Sequence, residues 1–554
     1  MKNITLLGIN ARYTHSNLAL FYMREAINDL GFDIVHIEES INQDKFKILA
    51  QVVASNPDVV AISTYIWNGE ITEFLVTSLK RILPRIKIVL GGPEAGYNSS
   101  FWFEKSCPPD YIIMGSGEAG WRYIAEHDFQ LNEKLINISN PSFSKIEFPY
   151  RQTDFSSLEN KYIYYEASRG CPFRCSFCLS SRIDQKLEYK DIKQIKQELD
   201  KILIHKPKIV KFVDRSFNAN RKISQAVWKY IISLNTKTKF HFEVHPSLLN
   251  AEDFNILETC PKDRIQFEIG VQSTNTQTIT EINRNHHFIN YKDKLKQLLA
   301  IKNIHTHLDL IIGLPYEDRN SFLNSLNDLL LLEPDVIQLG FLKVLPGTEM
   351  HDKKEEYGII YDPQPPYQIL QTKWISFADI AYFIAFEDMF ELIHNTTRLK
   401  NTLKFVTGFY HKAVVFYQHF STYLKDKNDI SNTNWTQIFA TLRDFILESN
   451  YAFDPALLDD YLSWDWLLHS RKNNLPTFLD KEANHSFKKQ VFKDLKGEKI
   501  ANWENCLGPN TKNLNNCAFF VPNTSQFCQT FLDGKDRALI FKDKIYLVNS
   551  SNLD

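Results

Sequence analysis

Ser168-Arg169-Gly170-Cys171-Pro172-Phe173-Arg174-Cys175-Ser176-Phe177-Cys178 packs three of the chain's eight cysteines into eight positions. The stretch follows an apolar, strand-like run and precedes a helical one. C-x3-C-x2-C on a loop lets three thiolates converge on one centre, and thiolates are the ligands that iron–sulfur clusters require. A closed [4Fe–4S] cluster needs four ligands, so a loop supplying three leaves one iron free to bind a small molecule. Open coordination is the mark of a catalytic metal site. The rival reading is a zinc site completed by a distant His, or three reduced core cysteines. Zinc sites usually pair two short knuckles, and the sequence offers no partner pair.

Outward from this loop the chain alternates strand and helix patterns. Strands are expected at Tyr162–Ala167, Ile209–Val213, His241–Val244, Ile265–Ile269, Thr306–Ile312 and Val336–Phe341, with the clearest helices at Lys190–Ile204 and Asn320–Leu332. Six βα-like units predict an open or partial parallel (β/α)6 barrel of TIM-barrel type over residues 158–355. Upstream, strands at Ile4–Gly8, Asp33–Ile37, Val59–Ser63, Lys87–Leu90 and Tyr111–Met114 alternate with helices at Leu18–Leu30, Lys45–Ala54 and Ile71–Leu83. That order predicts a Rossmann-like, doubly wound parallel sheet over residues 1–140. From residue 363 to 554 aromatic, helix-period segments (Phe377–His394, Leu403–Leu424, Asn434–Glu448, Pro455–Leu468) predict a mostly α-helical domain. It closes on strands Arg537–Phe541 and Lys544–Val548 about a tight Lys542-Asp543 turn.

A length of 554 residues exceeds what one core organises, and 44% hydrophobic with 23% charged residues is ordinary for a globular chain. A net charge of −2 provides no global field for nucleic acid or anionic lipid. The Lys-rich stretch Lys186–Lys211 is interleaved with Glu188, Asp191, Glu198 and Asp200, which reads as a solvated helix face. The N-terminal apolar run is too short for a secretory h-region, and no run reaches the length of a membrane span. Clustered cysteines without a signal peptide favour metal binding over disulfides, so a soluble, cytoplasmic protein is expected.

The cysteine motif, with Phe177 as the aromatic before its last Cys, resembles the radical S-adenosylmethionine (SAM) superfamily. The likeness extends from Tyr162 to Met350. Val213-Asp214-Arg215-Ser216-Phe217-Asn218 looks like the segment whose backbone receives the SAM amino group. His241-Phe-Glu-Val-His-Pro246 looks like the third strand, with Glu243 facing the cofactor. Phe267-Glu-Ile-Gly-Val-Gln-Ser273 resembles the fourth, with Gln272, and Ile282-Asn283-Arg284 stands where a basic residue commonly meets the SAM carboxylate. Asp309-Leu-Ile-Ile-Gly-Leu-Pro315 and Leu345-Pro-Gly-Thr-Glu349 complete the series. The resemblance implies a [4Fe–4S] cluster on Cys171, Cys175 and Cys178, and SAM contacts from Phe177, Asp214, Arg215, Ser216, Glu243, Gln272 and Arg284. It implies reductive cleavage of SAM to a 5′-deoxyadenosyl radical, and a reductant such as flavodoxin or ferredoxin. No side chain is singled out as the catalytic group, and the substrate is not legible.

A doubly wound sheet binds ligands beyond the carboxyl ends of its strands. Those ends carry small residues here: Ser63-Thr64, Gly91-Gly92-Pro93-Glu94 and Gly115-Ser-Gly117-Glu118. A Rossmann-like unit directly before a radical SAM core resembles the cobalamin (vitamin B12)-binding radical SAM group. Asn10-Ala-Arg-Tyr-Thr-His-Ser-Asn-Leu-Ala-Leu20 resembles the branch whose C-terminal domain is catalogued as DUF4080. The resemblance implies cobalamin at Ser63, Thr64, Gly91, Gly92, Pro93, Glu94, Gly115, Gly117 and Glu118. The Asp-x-His-x-x-Gly cobalt-ligating motif does not occur, so His15 is expected to serve the helix entry and cobalamin to bind without a protein His. A vestigial domain that has lost cobalamin is the competing reading.

The implied activity is cobalamin-dependent methyl transfer to an unactivated carbon or phosphorus centre. The alternatives are a non-methylating ring contraction, cyclisation or oxidation, and a cluster-and-cobalamin redox or light sensor. Cys506, Cys517 and Cys528 lack a short knuckle, and Cys107 and Cys260 read as buried thiols. His286-His287 reads as a solvated loop pair. The aromatic run Trp374–Phe416 reads as core, with a lid over the barrel mouth as the functional alternative.

Overall fold

A computed structural model describes residues 2–181, 187–284, 286–427, 434–449, 451–469, 475–479, 481–496, 517–541 and 544–548. The chain divides into two compact units, Met1–Ile380 and Ala381–Asp554.

The first unit holds two six-stranded parallel sheets, the mixed α/β character expected from the sequence. The N-terminal sheet consists of β1 (Asn3–Asn10), β2 (Asp33–Ser40), β3 (Val59–Ser63), β4 (Lys87–Gly91), β5 (Tyr111–Ile113) and β6 (Leu135–Ile136). Their order is β2-β1-β3-β4-β5-β6, with the chain reversing its winding between β1 and β3. Strands covered by helices on both faces need apolar residues at every position, and β3 is buried from end to end. The two-residue period divides its side chains between two cores. Val60 and Ile62 join Leu7, Ile9, Ile88 and Leu90 on one face. Val59 and Ala61 join Leu6, Val89, Trp121 and Ile124 on the other.

The second sheet runs β14-β13-β12-β11-β10-β7, all parallel and in strict chain order. Its strands are β7 (Ile163–Tyr165), β10 (Ile209–Phe212), β11 (Lys239–Glu243), β12 (Ile265–Gln272), β13 (His305–Ile312) and β14 (Val336–Phe341). A two-stranded antiparallel pair, β8 (Ser168–Arg169) with β9 (Glu188–Tyr189), flanks the cysteine loop. Burial alternates strictly along β12 and β13. Ile265, Phe267, Ile269 and Val271 are buried, whereas Gln266, Glu268 and Gln272 form a polar face. Side-chain carboxylates and amides start the helices between strands: Asp191 accepts from Gln194, Asn250 forms a reciprocal cap with Asp253, and Asp318 accepts from Ser321.

Local expectations need correction at three places. The cysteine loop leads into a short 3-10 turn, Leu179–Ser181, and β9 before the helix Ile192–Leu203. Two-residue strands such as β6, β8 and β9 are too short to give a period. Within the Lys-rich stretch, Lys190 is fully buried and pairs with Glu198 at 2.7 Å, which also accepts from the Tyr165 hydroxyl at 2.7 Å. The solvated-face reading fails there because a partner carboxylate in the second turn of the helix lets the ammonium enter the core.

The second unit contains helices Lys400–Thr407, Ala413–Lys427, Trp435–Glu448, Pro455–His469, Glu482–Lys496 and Ser525–Phe531. An antiparallel sheet of β17 (Cys517–Phe520), β18 (Arg537–Phe541) and β19 (Lys544–Val548) completes it. Leu457, Trp464, Phe520 and Phe527 share its core. The segment expected as one helix over residues 403–424 breaks at Gly408, where turns separate two shorter helices. Cys517 is buried in β17, a strand too short to be seen in the pattern. Cys506 and the Lys542-Asp543 turn lie outside the described residues.

Gly92 has φ +96°, and a Cβ there would stand 2.5 Å from the Thr64 carbonyl oxygen. Gly91, its neighbour at the end of β4, has open space where a Cβ would go. Gly92→Ala is therefore expected to destabilise the fold by about 1–3 kcal/mol. Gly91→Ala should change stability by less than about 0.5 kcal/mol. Denaturant unfolding of the two variants checks the contrast.

Candidate functional site

The carboxyl ends of β1, β3, β4 and β5 open on one cavity of about 540 Å³. Asn10, Ser63, Gly91 and Gly115–Glu118 form its wall on the N-terminal sheet. The facing wall is Tyr164, Glu166, Ser168, Arg169 and Gly170 with Val213 and Arg215, the residues that lead into and stand beside the cysteine loop. The cavity sits where the strand order reverses, the place at which an open α/β sheet receives ligands.

Of the nine residues assigned to cobalamin, Ser63, Gly91, Gly92, Pro93, Gly115, Gly117 and Glu118 line this cavity. Thr64 and Glu94 lie behind it. The Thr64 N–H donates to the Gly91 carbonyl at 2.7 Å, and the buried Glu94 carboxylate accepts from the Tyr367 hydroxyl at 2.5 Å. The cavity's polar equipment includes a group with no protein partner. Asn17 donates to Ser63 Oγ at 2.5 Å, while its own Oδ1 is buried without a hydrogen bond.

The cysteine loop is held at Ser176 by two backbone bonds. Ser176 N–H donates to the Ile282 carbonyl at 3.1 Å, and Met350 N–H donates to the Ser176 carbonyl at 2.9 Å. Gly170 enters the loop at φ +87°, a conformation a side chain resists. Just before it, the buried Asp214 carboxylate accepts from Ala167 N–H at 3.1 Å and from the Ser168 hydroxyl at 2.5 Å. Arg284 donates from Nη1 to Cys175 Sγ at 3.8 Å and from Nη2 to the Gly270 carbonyl at 2.6 Å. Burial raises the Cys171 and Cys175 thiols, and each is raised further by its neighbouring cysteines. Arg284 opposes this at Cys175. A bound cationic centre would reverse the balance and favour the thiolates.

The other SAM candidates gather around this loop. Arg215 reaches Glu243 at 3.5 Å with about half its side chain open to the cavity. Ser216 donates to the Arg215 carbonyl at 2.6 Å. Gln272 ends β12 at φ +71° with its Oε1 buried and unpartnered. Phe177 is half-buried between Ser176 and Cys178.

Several residues were missed by pattern reading. Tyr65 and Trp67 line the cavity with rings stacked 4.4 Å apart, and Trp67 Nε1 donates to the Ile9 carbonyl at 3.0 Å. The signal was there in two aromatics just past a strand end. His15 does more than enter a helix: its Nδ1 lies 2.7 Å from the Tyr164 hydroxyl and its ring lines the cavity. Burial, with Lys211 and Arg12, lowers its pKa and so favours the neutral imidazole. His286 is half-buried, packing on Phe173 of the cysteine loop and on His245. Burial pushes His245 down to about 2, helped by Arg284 and His286.

Three family models match the chain in succession: the B12 binding domain over residues 4–123, the Radical SAM superfamily over 165–329, and a protein of unknown function, DUF4080, over 355–520. The chain thus carries, in this order, a region matching the B12 binding domain, a region matching the Radical SAM superfamily and a region matching DUF4080. The cobalamin-dependent radical SAM methyltransferase TokK of Streptomyces tokunonensis is 24% identical over 347 residues, 56% of this chain and 51% of its own. The 2-(S-pantetheinyl)-carbapenam-3-carboxylate methyltransferase of Streptantibioticus cattleyicolor is 22% identical over 473 residues, 74% of this chain and 65% of its own. The chain spans half to two thirds of the length of these relatives. Among solved structures, the cobalamin-dependent SAM radical enzyme OxsB, with aqua-cobalamin and SAM bound, shares the fold. Its TM-score is 0.60 at 13% identity, over 91% of this chain and 82% of that one.

Burial raises Asp214 to about 7, against about 3.8 for a free carboxyl. Between these values the folded chain keeps a proton that the unfolded chain has released, so stability falls as pH rises through that window. Asp214→Asn is expected to flatten this part of the stability–pH curve, measured by denaturant unfolding from pH 4 to 8.

Proposed function

We propose that the chain is a cobalamin-dependent radical SAM enzyme that transfers a methyl group to an unactivated centre. One observation supports this most. The small-residue strand ends of a B12 binding domain and the strand leading to a three-cysteine loop face each other across one cavity. In this reading residues 1–140 form the cobalamin domain and residues 158–355 a partial (β/α)6 barrel. Residues 363–554 form the mostly helical C-terminal domain, and the location is cytoplasmic.

The residues present fit the implied groups. Three thiols on one tethered loop, with no fourth partner assigned, suit a [4Fe–4S] cluster with one open iron. The open space beside Gly91 and the orphaned Asn17 Oδ1 suit a bulky ligand with amide groups at the cavity wall. When bound, the cluster, SAM and cobalamin supply reductive SAM cleavage and methyl carriage. The protein's part is to bind, orient and exclude. Cys171, Cys175 and Cys178 hold the cluster. Arg284 offers a guanidinium to a carboxylate beside Cys175, and Glu243, Gln272 and the Asp214–Ser216 segment offer acceptors and backbone groups to the rest of SAM. Ser63, Gly91, Gly92, Pro93, Gly115, Gly117 and Glu118 receive cobalamin, with Thr64 and Glu94 supporting the turn from behind. His15 has its Nδ1 engaged with Tyr164, and with no Asp-x-His-x-x-Gly motif in the chain cobalt is assigned no protein imidazole in this reading. The substrate and a reductant such as flavodoxin or ferredoxin complete the reaction.

Anaerobically reconstituted protein given SAM and a reductant should release 5′-deoxyadenosine, and S-adenosylhomocysteine in the presence of the substrate. Cys175→Ala should lose both the cluster absorption and SAM cleavage; retention of either contradicts the reading. Arg284→Ala should keep the cluster and bind SAM about ten- to a hundredfold more weakly, as one charge-assisted bond is lost.

A further inference from the structure

The polar face of the second sheet places three metal-ligating side chains together, away from the cysteine loop's own residues. His307 and Asp309 are two positions apart on β13, so the pleat sets them on the same face. Glu268 stands opposite His307 on β12 in the parallel register. One ligand atom from each lies within 4.8 Å of the other two, and His307 Nε2 is 3.7 Å from Asp309 Oδ1. The next strand supports the group from the side, as His241 on β11 reaches Glu268 Oε2 through Nε2 at 3.1 Å.

Two features point to a ligand. Asp309 Oδ1 is buried with no hydrogen-bond partner, on a side chain only 20% exposed. Two carboxylates, Glu268 and Asp309, also face one small space, a repulsion that a bound cation relieves in place of a proton on one of them. Lys211 of β10 holds its ammonium over the Tyr162 ring at 5.1 Å and acts on Glu268 only through its charge.

We propose that Glu268, His307 and Asp309 bind a divalent first-row cation such as Mn²⁺, Fe²⁺ or Zn²⁺, with His241 as the positioning residue for Glu268. Two carboxylates and one imidazole are donors these ions accept. A ligating carboxylate is itself commonly fixed by a hydrogen bond, the role His241 fills. Three protein ligands leave coordination positions for water or an oxygen-bearing ligand. The site stands two residues along β12 from Gly270, whose carbonyl anchors Arg284, so such a ligand would lie near the cysteine loop.

Manganese is the probe, because thiolates compete poorly for it. The full-length chain is titrated with Mn²⁺ and the free ion is followed by electron paramagnetic resonance, without SAM, cobalamin or turnover. The outcome is therefore independent of the methyl-transfer reading. One Mn²⁺ should bind per chain. Asp309→Asn, Glu268→Gln and His307→Ala, each with a folded circular dichroism spectrum, should weaken binding about tenfold or more. His241→Ala should weaken it less. Wild-type protein that binds no Mn²⁺ overturns the proposal whatever the variants do, as does binding that Asp309→Asn and Glu268→Gln leave unchanged.

Discussion

Arg169 is the tie on which the arrangement of the first unit depends. Its guanidinium meets Glu118 at 2.6 Å, from the turn after β5, and Glu166 at 2.8 Å, from the end of β7. The same group lies over the Tyr22 and Phe143 rings at 5.0 and 4.6 Å. A buried cation with two carboxylates and two aromatic faces is fully compensated. Removing one partner from such a group costs about 3–5 kcal/mol, since a charge is left alone. Because Arg169 is two residues before Cys171, the pairing fixes the cysteine loop relative to the N-terminal sheet. The cavity between them inherits its width from that bond.

Much of this was legible in the sequence. Val59–Ser63 coincides with the strand expected, because a parallel strand under helices must be apolar for several residues and then stop, and Val336–Phe341 coincides through the alternation of its buried Ile337 and Leu339. The Gly91-Gly92 pair was legible as a turn, but its two glycines have different reasons. Gly92 answers to φ +96° and the Thr64 carbonyl, and Gly91 to the open cavity. Only coordinates separate them. Likewise the Lys190–Glu198 pair hides in a charged run, since alternating charges in a sequence do not say which of them a helix turns inward. The grouping of Glu268 with His307 depends on strand register, which joins residues 39 positions apart in the chain.

The polar face of the second sheet departs from the usual packed parallel sheet. Where β3 of the N-terminal sheet is buried on both faces, β12 and β13 alternate, and the side chains on the open face include Gln266, Glu268, His307 and Asp309. A sheet that places such groups on one face gives up burial energy for chemistry. Burial and the neighbouring Glu268 and Glu243 hold the Asp309 carboxyl well above the usual range. Perturbed groups of this kind concentrate where ligands bind. Both sheets thus direct their unsatisfied groups toward the region of the cysteine loop.

In the proposed function, the cavity between the strand ends and the cysteine loop receives cobalamin. Gly91→Val tests it most directly, because a side chain at this position enters open space and leaves the backbone unstrained. Purified full-length protein incubated with hydroxocobalamin and passed through a gel-filtration column should retain about one cobalamin per chain. Gly91→Val should retain almost none while keeping its iron–sulfur absorption. Wild-type protein that emerges without cobalamin, or a Gly91→Val protein that keeps as much as wild type, would contradict the account.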